Sequence, residues 1–269
     1  MGIKKYRVSI TTLICFFFSG FGFQSASCAD EVSSPPVISI IIDDIGYRKR
    51  EDLRAIAIPG SLAYAIMPHA PHAKHMSKLA SQRGKIVLLH LPMEATVLDK
   101  NRYLGPGALT LNMTRKQFLR TLDSNLQSLP EAIGVNNHMG SLITQHPGHM
   151  EWLMESLSAH SMFYIDSVTS EQSVASMVAK EKSLPYLKRD IFLDNQQNKN
   201  YIKNQFDELV KLTKYKGNAI AIGHPHPETI AFLTRELQEL EKYNVKLVSL
   251  TEMLRVRYNM GERHILLAN

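Results

Sequence analysis

The run VISIIIDDIG at residues 37–46 constrains the fold more than any other part of the chain. Its first part is almost entirely apolar and β-branched, which is typical of a strand buried on both faces in a parallel sheet. It ends in two adjacent carboxylates, and residues just past the carboxyl ends of parallel strands line the sites of such folds. Because neighbouring side chains of a strand point to opposite faces, Asp43 and Asp44 reach one cavity only if the backbone leaves extended geometry, which Gly46 permits. The alternative is a turn that uses Asp and Gly for backbone reasons alone.

After this strand, the chain alternates short apolar segments with amphipathic ones. Further strands are predicted at residues 61–67, 85–91, 133–138, 162–166, 191–193, 219–223 and 246–250. Helices are predicted at residues 49–58, 73–83, 114–128, 148–160, 170–180, 201–215 and 227–243. Such alternation is typical of a parallel sheet with crossover helices, and seven or eight units predict closure into a barrel. The expected fold is therefore α/β, a (β/α)7-8 barrel, with long loops at residues 96–112 and 183–200 that shape a groove.

The first 29 residues are predicted to be a secretory signal peptide. They have a basic start, an apolar stretch at residues 8–23 and small residues before Asp30. The apolar stretch is short and interrupted, so no permanent membrane span is expected after cleavage, and the mature protein is expected in the periplasm. Residues 30–36 are predicted to be a linker, 37–257 a single barrel domain and 258–269 a C-terminal tail. The sequence gives no signal for an oligomeric state.

Cysteine content and charge exclude several classes of protein. Both cysteines, Cys15 and Cys28, lie in the leader, so a mature chain has no structural disulfide and no thiolate metal ligand. Lipid attachment at Cys28 is a less favoured alternative to simple cleavage, because Ser25 stands where a lipobox usually has leucine. Removing the three basic residues of the leader lowers Lys+Arg from 31 to 28 against 25 Asp+Glu, and the net charge from +6 to +3. Such a mildly basic chain predicts no nucleic-acid partner.

Ionisable side chains stand at the carboxyl ends of several other predicted strands. They are His90 with Glu94 four residues later, His138 before Gly140 and Ser141, Asp166, and His224 with His226. In a barrel these ends converge near Asp43 and Asp44. A mixed imidazole and carboxylate shell with an open position suits a divalent ion such as zinc, so the sequence predicts a metal or catalytic site there.

Local sequence refines the interpretation of the histidines. In the segment HPHP, His224 and His226 each precede a proline, which favours extended geometry and places both imidazoles on one face. Two such imidazoles suit a metal ligand or a general acid, with a solvated His226 as the alternative. His90 is expected at the end of its strand, because Pro92 breaks that strand.

The remaining candidates are Asp166, Ser141 and a group of three histidines. Asp166 is equally consistent with a catalytic role and with capping the helix near residue 170. Ser141 lacks the GxSxG elbow of a nucleophile. Histidines 69, 72 and 75 have helical spacing beside two lysines and predict a solvated helix face, with His72 bordering the groove as the alternative.

Six segments of the chain, taken as a set, carry a family pattern over roughly residues 37–254. They are IIDDIG at 41–46, LLHLPME at 88–94, GPGAL at 105–109, NNHMGS at 136–141, YIDSVTS at 164–170 and GHPHPETI at 223–230. With this set the chain resembles the divergent polysaccharide deacetylases, relatives of the NodB-type carbohydrate esterases. The resemblance implies a NodB-like distorted barrel and a divalent metal, often zinc, bound by one aspartate and two histidines.

The resemblance also implies roles for individual residues. Carried over by position, they are Asp43 as base, Asp44 and His90 as metal ligands, and His224 as acid. Glu94 stands where the family's HxxxH motif has its second histidine, and the family's Arg-Pro-Tyr groove motif is not recognisable. The third ligand is therefore open, between His138, which is favoured, and Glu94 or His226. The residues expected to contact substrate are Glu94, Ser141, Asp166 and His226.

The implied activity is metal-dependent removal of N-acetyl groups from an amino-sugar polysaccharide of the envelope, such as peptidoglycan. Asp43 would activate water and His224 would protonate the leaving amine. The alternative is a glycan-binding or envelope accessory protein of the same fold that has lost catalysis, which the replaced second histidine and the missing groove motif favour. Metal-dependent phosphoester hydrolysis is less favoured, because a two-metal site would need more carboxylate ligands.

Overall fold

The structure is a computed structural model that describes residues 1–2 and 35–258. The predicted signal peptide beyond residue 2, most of the linker and the tail beyond residue 258 lie outside the described residues. From Pro35 onward the described residues belong to one compact unit. Within the described ranges, no helix has both the length and the apolar character needed to cross a bilayer.

Strands and helices alternate along residues 35–258 as the sequence predicts. The strands are β1 (Val37–Ile45), β2 (Ala63–Ile66), β3 (Ile86–Met93), β4 (Gly134–Met139), β5 (Phe163–Asp166), β6 (Tyr186–Lys188), β7 (Ile191–Phe192), β8 (Asn218–Gly223) and β9 (Lys246–Leu247). The α-helices are α1 (Lys49–Ile56), α2 (Ala73–Gln82), α3 (Arg115–Ser128), α4 (Pro147–Ala159), α5 (Ala175–Glu181), α6 (Lys199–Lys216), α7 (Pro227–Glu236) and α8 (Leu250–Tyr258). Short 3-10 helices lie at Leu98–Tyr103, Ile143–Gln145 and Leu237–Tyr243. Strand β6 and the first 3-10 helix lie within the two segments predicted as long loops. Helix α8 begins at Leu250, the predicted end of a strand, and continues through residues for which no element was predicted.

The strands form one parallel sheet in the order β6-β5-β4-β3-β2-β1-β8-β7, with β9 paired to the start of β1. The two ends of this order, β6 and β7, are joined in the chain by Arg189 and Asp190 alone. The N–H of Arg189 donates to the carbonyl of Asp166 at the end of β5, and that of Asp190 donates to the carbonyl of Ile220 on β8. One bent segment therefore contacts both sides, and the sheet curls back on itself. The predicted distorted α/β barrel is confirmed.

The sheet separates two apolar layers. On β1, isoleucines 38, 40 and 42 pack on the helix side, whereas Ile41 packs in the interior with inward residues of other strands. Leu250 of α8 joins this inner layer, and the Ser39 hydroxyl donates to the carbonyl of Val248 at 2.8 Å. The segment after β9 therefore fills the interior beside the amino end of β1, and the polar groups gather at the carboxyl end.

Candidate active site

The end of β1 supplies two carboxylates to one cavity because its backbone leaves extended geometry at the second. Asp44 has a φ of +59° and Gly46 a φ of +127°, and the pairing of β1 with β2 shifts register here. As a result, both carboxylates approach Nε2 of His90, with Asp43 Oδ2 at 3.8 Å and Asp44 Oδ1 at 3.1 Å. The predicted departure from extended geometry is confirmed.

A buried carboxylate fixes this turn. Oδ2 of Asp52 accepts hydrogen bonds from the N–H groups of Gly46 (3.0 Å) and Arg48 (3.1 Å). The carbonyl of Gly46 accepts from the N–H of His72, and a Cβ at Gly46 would lie 2.8 Å from the Cβ of Ala70. Burial raises the pKa of Asp52. Only glycine fits at residue 46, and the backbone that carries the aspartates is held on both sides.

Asp44, His90 and His138 place three potential ligand atoms at mutual hydrogen-bonding distances. Asp44 Oδ1 lies 3.1 Å from His90 Nε2 and 3.0 Å from His138 Nδ1, and the two nitrogens are 3.2 Å apart. A tetrahedral zinc ion with bonds of about 2.0–2.1 Å sets its ligand atoms about 3.3 Å apart, so the three atoms fit one such ion. Although Asp44 Oδ1 is buried, no described residue donates a well-aligned hydrogen bond to it. Burial alone would raise the pKa of Asp44, but the two imidazoles hold that pKa well below its usual range, which keeps the carboxylate ionised as a ligand must be.

Asn136 of β4 orients both the ligand His90 and the predicted base Asp43. Its Nδ2 donates to Asp43 Oδ1 at 2.8 Å, and its Oδ1 lies 2.8 Å from His90 Nδ1. Because an ionised carboxylate only accepts hydrogen bonds, the amide oxygen must face His90, whose Nδ1 therefore carries the proton. The lone pair of His90 Nε2 then points to the ligand triangle, as metal binding requires. Burial raises the pKa of Asp43 above its ordinary value.

His224 is held by Asp194, the residue that follows Leu193 after β7. The imidazole Nδ1 lies 2.9 Å from Asp194 Oδ1, while Asp194 Oδ2 accepts from the N–H of His224 and from the hydroxyl of Thr229, each at 2.7 Å. Burial lowers the pKa of His224, but the bond to Asp194 and the nearby carboxylates outweigh it and raise this pKa to about 9. His224 Nε2 lies 3.8 Å from Asp44 Oδ2. The arrangement presents a protonated imidazole to the site.

A second group, Asp194, His224 and His226, is also compact enough to hold a metal ion. Asp194 already accepts three hydrogen bonds from its own chain, so a metal there would displace them. Among the described residues, the buried oxygen of Asp44 has no such donors, which favours the Asp44 triangle as the metal site and Asp194 as the partner of an acid. His226 is brought beside His224, with ring centroids 5.7 Å apart, as the shared face of the two residues predicts.

Glu94 does not join the ligand triangle. Strand β3 stays extended through Met93, so Glu94 lies about 13 Å along the strand from His90. Its Oε2 accepts from the N–H of Leu111 at 2.7 Å. The expectation that β3 ends at His90 is wrong, because His90 is buried within the strand and Pro92 lies beyond the last residue that pairs with β2. Of the open choices for the third ligand, the structure brings in His138.

Asp166 and Ser141 are used by nearby loops. Asp166 accepts hydrogen bonds from the N–H of Val168 (2.8 Å), the hydroxyl of Ser173 (2.6 Å) and the hydroxyl of Tyr186 (3.3 Å). Asp166 lies two residues after Tyr164 on β5, and residues two apart on a strand share a face. Because Tyr164 packs in the outer layer, the side chain of Asp166 points away from the interior. The hydroxyl of Ser141 accepts from the N–H of Thr96 at 3.1 Å. These contacts support local roles, and substrate contact by Glu94, Ser141 and Asp166 stays a prediction.

Comparisons with known proteins agree with this fold. Residues 40–254 match a family model described as divergent polysaccharide deacetylase. An uncharacterized protein of Haemophilus influenzae is 36% identical over 253 residues, which cover 94% of this chain and 84% of that protein. An uncharacterized protein of Agrobacterium tumefaciens C58 superposes with a TM-score of 0.78 at 20% identity, covering 82% of this chain and 90% of that chain. The catalytic domain of a peptidoglycan N-acetylglucosamine deacetylase from Eubacterium rectale gives a TM-score of 0.52 at 10% identity, with coverages of 81% and 89%. At these identities, the two solved structures show a shared fold.

Proposed function

Because the chain belongs to the divergent polysaccharide deacetylase family, we propose that it is a metal-dependent hydrolase that removes N-acetyl groups from an amino-sugar polysaccharide of the cell envelope. One observation carries the proposal: the triangle of Asp44, His90 and His138 lies between the buried carboxylate of Asp43 and the Asp194-held imidazole of His224. A ligand triangle with a base and an acid beside it is what amide hydrolysis requires.

Each of these residues has a separate role in the proposed reaction. A divalent ion held by Asp44, His90 and His138, with zinc as the preferred ion, would supply a Lewis acid that polarises the amide carbonyl and acidifies water. Asp43 takes the proton of the attacking water, and its raised pKa brings it closer to the operating pH of a general base. The carbon–nitrogen bond then breaks, and His224 gives its Nε2 proton to the leaving amine. The products are acetate and a free amino sugar.

The proposed compartment rests on the leader that the sequence predicts. A basic start, an apolar stretch and small residues before Asp30 are typical of export across the inner membrane, so the polysaccharide is proposed to be periplasmic. Peptidoglycan is the polymer of this class that such a compartment contains.

The accessory-protein alternative loses one of its two supports. The replacement of the second HxxxH histidine by Glu94 favoured it, but His138 from the adjacent strand supplies an imidazole in the triangle. The missing groove motif still favours it, so the test must separate the two functions.

Metal analysis followed by an acetate-release assay makes that separation. The purified mature protein should bind one divalent ion and release acetate from peptidoglycan or chito-oligosaccharides when zinc is present. Asp207→Asn, a change at a half-buried carboxylate on α6, should leave both properties intact and serves as the control. A protein with neither bound metal nor acetate release would refute the hydrolase and support the accessory function.

A further inference from the structure

A groove of about 550 Å³ opens on the surface beside α3. Residues at i, i+3, i+4 and i+7 of that helix form one polar stripe along it: Gln117, Arg120, Thr121 and Ser124. The remaining lining residues are His69, Gly107, Met113 and Asn125. We call this the α3 groove.

The loops that border the α3 groove are hydrogen-bonded to β1 and β3, the strands that carry Asp44 and His90. In the loop after β2, which carries His69, the N–H of Met67 donates to the carbonyl of Ile45 at the end of β1 (2.8 Å). In the loop that carries Gly107, the N–H of Leu109 donates to the carbonyl of Pro92 on β3 (2.9 Å). Both loops follow the carboxyl ends of β2 and β3, which is the edge of the sheet that also carries Asp44 and His90, so these loops place one border of the α3 groove at the same edge as the ligand triangle.

The groove has a fixed architecture. Asn125 is fully buried. Its Oδ1 lies 3.0 Å from His69 Nε2, and its Nδ2 donates to the carbonyl of Gly107 at 2.8 Å. A Cβ at Gly107 would lie 2.1 Å from Asn125 Oδ1, so only glycine fits there. His69 has a φ of +57°, and non-glycine residues in such strained geometry are concentrated at functional sites. His69 is exposed, as the sequence predicts, but it does not lie on a helix, because α2 begins only at Ala73.

The lining of the groove indicates an anionic and hydroxyl-rich ligand. Arg120 is its one residue with a permanent charge, and none of its lining residues is acidic. Among residues 35–258, no carboxylate forms an ion pair with Arg120. Gln117, Thr121 and Ser124 supply amide and hydroxyl groups of the kind that bind sugar hydroxyls.

We propose that the α3 groove binds a carboxylate-bearing sugar unit of the polysaccharide, near the unit that is deacetylated, with Arg120 paired to the carboxylate. The proposal rests on the proposed function only for the polysaccharide substrate. A lactyl ether of an amino sugar and a uronic acid share this chemistry, and the ligands of the test distinguish them.

Calorimetric binding to three disaccharides tests the proposal. The ligands are N-acetylglucosaminyl-N-acetylmuramic acid, a disaccharide of glucuronic acid and N-acetylglucosamine, and neutral diacetylchitobiose. A chelator in the buffer prevents turnover. At least one of the acidic disaccharides should bind about tenfold more tightly than the neutral one, as expected for one charged hydrogen-bonded pair. Arg120→Gln should abolish that preference. Arg115→Gln, on the other side of α3 and paired with Glu155, should retain it.

The outcomes separate this proposal from the deacetylase. Equal affinity for all three disaccharides, no binding of any of them, or an undiminished preference in Arg120→Gln would each overturn it. An Arg120-dependent preference in a protein that releases no acetate would support the groove and refute the hydrolase. Acetate release without any carboxylate preference would support the hydrolase and refute the proposed ligand of the groove.

Discussion

Replacing Asn136 with alanine should weaken zinc binding although no ligand is removed. The change deletes both 2.8 Å contacts of the amide, the one to His90 Nδ1 and the one to Asp43 Oδ1. Without the amide oxygen, His90 no longer has its proton fixed on Nδ1, and its Nε2 is no longer held ready for the metal. Loss of such a partner lowers metal affinity about 10- to 100-fold, equivalent to about 1.4–2.7 kcal/mol.

Asn136→Ala should also destabilise the metal-free fold. His90 is 2% exposed and Asp43 is 3% exposed, so water cannot readily replace the lost partner of either. Each buried polar group left without a partner costs about 1–3 kcal/mol. Thermal unfolding, measured with and without zinc, separates this loss from the loss of zinc affinity.

Competition with a chromophoric zinc chelator measures the affinity, and the nitrogen-15 spectrum of the His90 imidazole shows which nitrogen carries the proton. Asn137→Ala is the matched control, since Asn137 is equally buried on β4 but contacts Tyr164 and the carbonyl of Met139. It should lower the unfolding temperature and leave the zinc affinity near that of the wild type. An unchanged zinc affinity in Asn136→Ala, or an equal loss in Asn137→Ala, would refute the orienting role.

Four further predictions concern the base, the acid and a loop. Asp43→Asn should keep the bound zinc and lose most acetate release; full activity would remove Asp43 from the role of base. In zinc-free protein, the free energy of unfolding should fall as pH rises from about 6.5 to about 9, because the raised pKa of His224 stabilises the fold only while the imidazole stays protonated. Asp194→Asn should lower the midpoint of His224 in an NMR titration, and an unmoved midpoint would contradict the pairing. Gly107→Ala should lower the unfolding temperature, because φ is +78° and left-handed geometry costs a residue with a Cβ about 1–2 kcal/mol; Gly148→Ala, in α4 with open space around it, should not.

Most of the fold and part of the site could be predicted from the sequence, because strand alternation is visible in it. On β1, Ile41 faces the interior, and Asp43, two residues later, shares that face. On β3, Leu88 faces the interior, and His90 shares its face for the same reason. The same rule, applied to β5, separates Asp166 from the site, since its neighbours of like parity belong to the outer layer. Which residues point into the interior can be decided only when the interior face of each strand is known.

The residues that orient the site were harder to predict. Asn136 lies two residues before His138 on the same face of β4, but a neutral amide carries no chemical signal of catalysis. Asp194 directly follows a predicted strand, but it also lies within a predicted long loop, so its place beside His224 was not evident from the sequence. Asp52 acts through two backbone N–H groups of the β1 turn, and its sequence position shows only an acidic residue in a helix.

Glu94 stands where the resemblance to the wider deacetylase family implies a second histidine, and the length of β3 explains physically why this position does not supply the third ligand. In parallel register Pro92 pairs with His138, and β3 stays paired with β4 as far as Met93. An extended strand carries Glu94 away from His90, so the third ligand has to come from a neighbouring strand. His138, next to the left-handed Met139 at the end of β4, is the imidazole that this register brings to Asp44. The loop of Leu109 and Leu111 then binds the Pro92 carbonyl and the Glu94 carboxylate, which explains why an acidic side chain occupies the histidine position.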